Sequence, residues 1–222
     1  MIVLIPPSET KAEGGDGVLD PASLGFPSLR GRRRTVQAAL KRVPLKDAPG
    51  VLKLGSRNAH EARWNRELTT GPVLPAVERY TGVLYDGLGA GTLSSPARAW
   101  VDRHVVIASA LFGLVRAGDP IPLYRLSGST PLPDLPLKAH WRDAVAAAIA
   151  DAGEWVLDAR SEAYVALGAA PAGSAFLLVE STEGRALNHF NKHAKGALVR
   201  RLAETGADAG SRDELLLSLI HI

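Results

Sequence analysis

The sequence contains no cysteine. A disulfide framework, a thiolate-bound zinc or iron–sulfur centre and a cysteine nucleophile are excluded with it, so any chemistry rests on oxygen and nitrogen groups. Long apolar runs are missing too: the longest uncharged one, Val105 to Val115, is about half the ~20 residues of a membrane-spanning helix. The opening Met1 to Ile5 has no basic region before it and stops at Pro6-Pro7, unlike a secretory signal, so a cytoplasmic protein without a membrane partner is expected. Nucleotide fingerprints are also lacking. Gly87, Gly89 and Gly91 do not fit the dinucleotide motif, no Walker-type lysine loop occurs, and no serine stands in a nucleophile elbow, so no cofactor is expected.

What remains is 222 residues, 46% of them apolar and 22% charged. That length and composition suit a chain with a sizeable buried core. Short apolar runs at Met1 to Ile5, Val105 to Ala110, Trp155 to Asp158 and Ala175 to Val179 predict buried strands. Helical spacing or composition predicts helices over Leu29 to Val43, Asn58 to Leu68, Pro72 to Leu84, Leu137 to Asp151 and His193 to Glu204. Strands interleaved with helices give a mixed α/β (α+β) fold, read as one elaborated domain over 1–222 with a helical insertion at 30–68. No internal repeat or low-complexity linker is present.

The net charge of +3 is a sum of unlike parts. Met1 to Arg66 carries 12 basic and 6 acidic residues, a net of +6, whereas the rest of the chain is net −3. One basic cluster holds Arg30, Arg32, Arg33, Arg34, Lys41 and Arg42; a second, Arg185 to Arg201, contains Lys192, Lys195 and Arg200 and no acid. Such clusters attract phosphate and gain affinity by counterion release. For the first cluster, the solvated face of an amphipathic helix is the alternative reading. Between the two, Lys53-Leu-Gly-Ser-Arg57 forms a small-residue turn whose amides suit a phosphate, with Lys53 and Arg57 beside it.

Several segments carry groups that a purely structural chain does not require. Tyr80 and Tyr85 flank Gly82, and with Tyr124 they offer flat stacking surfaces for a nucleobase, or else buried core. Ser109 to Arg116 and Asp119 to Arg125 read as a strand end and a proline-stiffened loop presenting Ser109, Arg116, Asp119 and Arg125. Asp158-Ala-Arg-Ser-Glu-Ala-Tyr164 places a carboxylate at a strand end, fit to orient a cation or act as a base, with Ser161 a helix cap. In Asn188-His-Phe-Asn-Lys-His-Ala-Lys-Gly196, Lys192 and Lys195 are three apart and share a helix face that Asn191 would cap. His189 and His193 lack a third ligand, so no metal site is expected. An enzymatic reading takes Lys11, Ser109, Asp119, Asp158 and Lys192 as catalytic candidates acting on a nucleotide-like small molecule, a nucleobase or damaged DNA.

Taken together, the loop lysine Lys11, Tyr80-Thr-Gly82 with Tyr85, Ser109 to Arg116 with Asp119 to Leu126, Trp141, Asp158 to Tyr164, and Phe190 to Gly196 with Arg200 resemble the YaaA family in order and type. The resemblance runs from Met1 to about Leu202. It implies a cytosolic protein of the peroxide stress response that limits free intracellular iron and protects DNA. It also implies an α/β fold with a helix-hairpin-helix-like element and a positively charged, DNA-binding cleft; the turn at Leu54 to Ala59 is the candidate hairpin. Contacts of that kind address the backbone, so DNA binding is expected to be largely sequence-independent and salt-dependent. Two departures stand out: the opening loop is Pro6-Pro-Ser-Glu-Thr-Lys11 where a Ser-Pro-Ala-Lys-type loop is usual, and the tail from Ser211 is short.

Overall fold

The computed structural model describes residues 1–179 and 188–220. In chain order these form β1 (Ile2–Ile5), α1 (Arg30–Arg42), α2 (Ala48–Val51), β2 (Val73–Pro75), α3 (Ala76–Arg79), α4 (Val83–Leu88), α5 (Ser95–His104), β3 (Val105–Ser109) and β4 (Gly113–Arg116). Then follow β5 (Pro120–Pro122), α6 (Leu137–Ala150), β6 (Val156–Asp158), α7 (Glu162–Val165), β7 (Ala175–Phe176), α8 (Asn188–Thr205) and α9 (Arg212–Ile220). The architecture is mixed α/β, as the alternation of apolar runs and helical segments predicts.

Among the described residues the main sheet has five strands in the order β4-β3-β1-β6-β7. β1 lies at its centre and pairs in parallel with β3 (Val3 opposite Val105) and with β6 (Val3 opposite Leu157). All four β1 residues are buried, which is why this strand reads as an unbroken apolar run rather than an alternation. β4 returns antiparallel to β3 through a tight turn, and β7 adds in parallel to β6. A separate two-stranded ribbon pairs β2 with β5, so that Leu74 faces Ile121. Trp141 of α6 is fully buried and donates from Nε1 to the Ala110 carbonyl (2.8 Å), fastening α6 to the β3–β4 turn.

Three segments differ from the sequence reading. Pro72 to Leu84 is not one helix: β2 and the one-turn α3 occupy its first part, and Gly82, at φ 99°, separates them from α4. Ser56 to Arg66 is a 3₁₀ run rather than an α-helix, joined to the one-turn α2 through Lys53, which itself has φ 54°. α8 begins at Asn188, so Asn191 lies inside it and caps nothing. Among the described residues no helix is long and apolar enough to cross a membrane. Arg185 and the His189 side chain fall outside the described residues.

α4 and α8 touch backbone to backbone. A Cβ on Gly196 would lie 1.9 Å from the Leu84 carbonyl oxygen, and one on Gly87 would lie 2.5 Å from that of His193. Glycine therefore sets how closely α8 approaches, and with it the position of Lys192. Gly196→Ala is expected to lower stability by about 2–3 kcal/mol, a fall in Tm of roughly 5–10 °C for a chain of this size. Gly91→Ala, where a Cβ meets nothing within 4 Å, serves as the neutral control. Equal melting temperatures for the two variants in a thermal scan would contradict this packing.

Candidate functional site

The carboxyl ends of β1 and β6 are adjacent, and the chain leaves them in opposite directions across the sheet: the next strand of the sheet after β1 is β3 on one side, and after β6 it is β7 on the other. Open α/β sheets hold ligands at such a divergence, because the two loops splay apart there. A cleft of about 480 Å³ opens at this point, lined by Pro6 to Thr10 from the β1 loop, Thr81 to Tyr85, Ser161 and Tyr164 from beyond β6, and Lys192 of α8. Its polar lining is mostly hydroxyl. Ser8 and Thr10 are 3.1 Å apart at their oxygens, and Thr10 donates to the Thr81 carbonyl (3.2 Å).

Lys11 ends the β1 loop and forms a backbone bridge with Tyr80. Its amine donates to the carbonyls of Ser8 (3.1 Å) and Glu9 (3.2 Å), two residues that line the cleft. It sits over the Tyr124 ring, 4.3 Å from the centroid, and 5.3 Å from that of Tyr80. Burial, then the nearby Arg125 guanidinium, lowers its pKa from 10.5 to about 7, against the opposing pull of Glu61 and Glu9. The aromatic faces favour the ammonium, but desolvation outweighs them.

Around the lysine lies a buried hydroxyl chain. The Ser109 oxygen accepts from the amides of Leu111 (3.2 Å) and Phe112 (3.1 Å), which fills its lone pairs and directs its proton to the Tyr124 oxygen at 2.9 Å. Tyr124 in turn donates to Tyr80 at 2.6 Å. The Tyr85 ring lies 5.5 Å from that of Tyr80, tilted by 33°, and its hydroxyl donates to the Pro6 carbonyl (2.9 Å). Burial pushes the phenols of Tyr80, Tyr85, Tyr124 and Tyr164 upward, so all four stay neutral at physiological pH. Tyr80 and Tyr124 are interior rings, 1% exposed each, and present no face to a nucleobase; Tyr85 and Tyr164 line the cleft instead.

Arg125 is the connecting cation. It pairs with Glu9 (2.7 Å) and Glu61 (3.1 Å), and its Nη1 shares the Glu9 carbonyl with Lys11. Its backbone is held in both directions by Asn65, so the 3₁₀ run Ser56–Arg66 is tied to the cleft loop. The Arg79 guanidinium, fully buried in α3, donates to the carbonyls of Ala12 (2.5 Å), Gly14 (3.0 Å), Pro72 (2.9 Å) and Ile121 (3.1 Å).

The remaining sequence candidates divide. Asp158 accepts a two-pronged ion pair from Arg160 (2.6 and 2.8 Å), and Lys195, 7% exposed, donates to the carbonyls of Ala159 and Arg160. This group shapes the β6 loop under the cleft's Ser161, and burial lowers the Lys195 amine. Only Lys192 of the pair is exposed, so the two lysines do not share a solvent face. Asp119 does not join them: its carboxylate accepts from the amides of Gly25 and Arg116, and burial raises its pKa. Arg116 lies over Phe26 and bonds the Arg103 carbonyl. Arg33 differs from the expectation of a phosphate contact, being 3% exposed with its guanidinium on the carbonyls of Gly25, Phe112 and Leu114. Arg200 closes the end of α4 through the Leu88 and Gly89 carbonyls and Thr92. Arg32, Arg34, Lys53 and Arg57 are exposed. Glu9, Glu61, Asn65, Arg79 and Tyr164 did not emerge as site residues from the sequence; only Glu9 carried a local signal, its place in the same loop as Lys11.

Fold and cleft together define a mixed α/β protein with a cleft at the strand ends that presents several hydroxyls, and a half-buried amine beside it. The chain belongs to the YaaA family: the family model described as "Peroxide stress protein YaaA" matches residues 1–216. A UPF0246 protein of Corynebacterium glutamicum is 41% identical over 97% of this chain and 90% of its own length. One from Streptomyces coelicolor is 39% identical over 99% of this chain and 89% of its own. An uncharacterized protein of Campylobacter jejuni is 24% identical over 99% and 90%.

The lysine makes stability depend on pH. Its folded pKa lies below the ordinary 10.5, so between about pH 7 and 10 the unfolded chain binds more protons and Lys11 makes stability rise with pH. Lys11→Met removes that dependence. In urea titrations the stability of the variant relative to the parent is expected to fall by roughly 1 kcal/mol per pH unit between pH 7 and pH 10. Parallel stability–pH curves for the two proteins would contradict the desolvated amine.

Proposed function

We propose that this peroxide stress protein acts in the cytoplasm by binding DNA along its backbone, with the strand-end cleft taking a single nucleotide unit. The observation that carries the reading is the tie made by Arg125: through Glu61 and Asn65 it fastens the segment bearing Lys53 and Arg57 to the loop that lines the cleft, while Lys192 lines the same cleft. Exposed cations on a fixed frame around a polar pocket suit phosphates. The turn after Lys53 stands in for the hairpin of a helix-hairpin-helix element, and Arg32 and Arg34 extend the basic surface along α1. The buried Arg33 and Lys195, and the engaged Arg116, Arg125 and Arg200, are spent on backbone carbonyls instead.

Protection of DNA follows from occupancy. The limitation of free iron is read as a downstream consequence, since among the described residues no three His, Asp or Glu side chains gather as ligands would. A nucleotide-like small molecule in the cleft is the corresponding reading without DNA.

Fluorescence polarisation with a duplex of arbitrary sequence tests the proposal. Affinity should fall steeply between 50 and 200 mM salt, and Lys53→Ala, Arg57→Ala and Lys192→Ala should each reduce the salt slope by about one without lowering Tm. Absence of binding at low salt, or a slope unmoved by all three substitutions, would overturn it.

A further inference from the structure

The Lys11 amine is badly placed to grip a phosphate. Its hydrogen bonds go to two backbone carbonyls, and two tyrosine rings cover it. The carboxylates of Glu9 and Glu61 pair with Arg125. A second cation, Arg125, donates to the same Glu9 carbonyl at 3.0 Å, so positive charge is crowded at this point. Burial and the Arg125 guanidinium disfavour the ammonium, outweighing the carbonyls, the rings and the carboxylates of Glu61 and Glu9 that favour it, and bring its pKa down to about 7, so that free amine is present at neutral pH. A neutral amine has no electrostatic value toward phosphate; it is a nucleophile. The phenols nearby are held neutral and cannot serve as bases at that pH, so nucleophilic reactivity at this spot belongs to Lys11.

We propose that Lys11 is a covalent amine that condenses with an aldehyde presented through the strand-end cleft, the aldehyde being the ring-opened sugar of an abasic site in DNA. The Nζ lone pair attacks the carbonyl carbon and the carbon–oxygen π pair moves to oxygen. One amine proton passes to that oxygen, giving a carbinolamine. With one further proton drawn from solvent, the hydroxyl leaves as water and the nitrogen lone pair forms the protonated imine. Lys192, which lines the same cleft, supplies positive charge for a phosphate flanking the sugar. The source of the aldehyde rests on the DNA reading above, whereas the reactivity of Lys11 does not.

Borohydride trapping separates the two. The full chain is incubated at pH 7 with an oligonucleotide carrying one abasic site, with the intact oligonucleotide, and with glyceraldehyde 3-phosphate, then reduced and peptide-mapped by mass. The proposal expects a secondary-amine adduct at Lys11 formed at least about tenfold faster than at exposed Lys46 and Lys138, absent with the intact oligonucleotide, and lost in Lys11→Arg. Adduct with the abasic oligonucleotide, alone or together with the sugar phosphate, supports it. Adduct at Lys11 with the sugar phosphate alone overturns the DNA source; if polarisation still shows oligonucleotide binding, the DNA reading survives that failure. Labelling spread over surface lysines with none at Lys11 overturns the proposal outright, and this readout uses the parent protein, so it does not depend on the variant folding.

Discussion

Arg79 holds the site in shape. It is buried completely, and its hydrogen-bond partners are backbone carbonyls: two from the loop beyond Lys11, one before β2 and one within β5. A planar guanidinium with five fixed donors can satisfy four carbonyls from separate segments at once; an ammonium has three donors and no fork. The loop after β1 is thereby clamped to the β2–β5 ribbon, and the β5 side also delivers Tyr124. Lys11 is lodged between the two. Its pKa is lowered by desolvation there and by the Arg125 guanidinium, against the pull of Glu61 and Glu9.

The same economy of charge runs through the interior. Arg33 ties the β3–β4 turn to Gly25, Lys195 ties α8 to the β6 loop, and Arg200 closes α4, each by donating to backbone carbonyls. A buried charge is costly unless hydrogen-bonded, which is why Arg33 and Lys195 sit where carbonyls point inward, Arg33 leaving only its Nη1 without a partner. The basic clusters are accordingly composites of structural anchors and exposed cations. The exposed cations are fewer than the count of arginines suggests; Arg32, Arg34, Lys53, Arg57 and Lys192 are among them.

Much of the frame was legible in the sequence. β1, β3 and the start of β6 appear as apolar runs because both faces are covered, α1 appears by its helical spacing and α6 by its alanine-rich composition. The ribbon was hidden: nothing local tells that Leu74 pairs with Ile121, so Pro72 to Leu84 reads as a helix. Arg33 could have been separated from Arg32 and Arg34 by phase alone, since Leu29, Arg33, Val36 and Leu40 recur at helical spacing and all four are buried. Lys195 falls in phase with buried Val199 and Leu202 in the same way. The loop lysine was visible as a residue after a strand, but its surroundings were not. They come from Tyr80 and from Tyr124, far along the chain and placed by long-range pairing.

The account turns on the protonation of a single amine. An NMR titration of ¹³Cε-labelled lysines, with Lys11 assigned by comparison with Lys11→Arg, reads it directly. The structure predicts a Lys11 midpoint near pH 7, well below the ordinary 10.5 of a lysine. A Lys11 midpoint above about 10, the value of an unperturbed lysine, would contradict it.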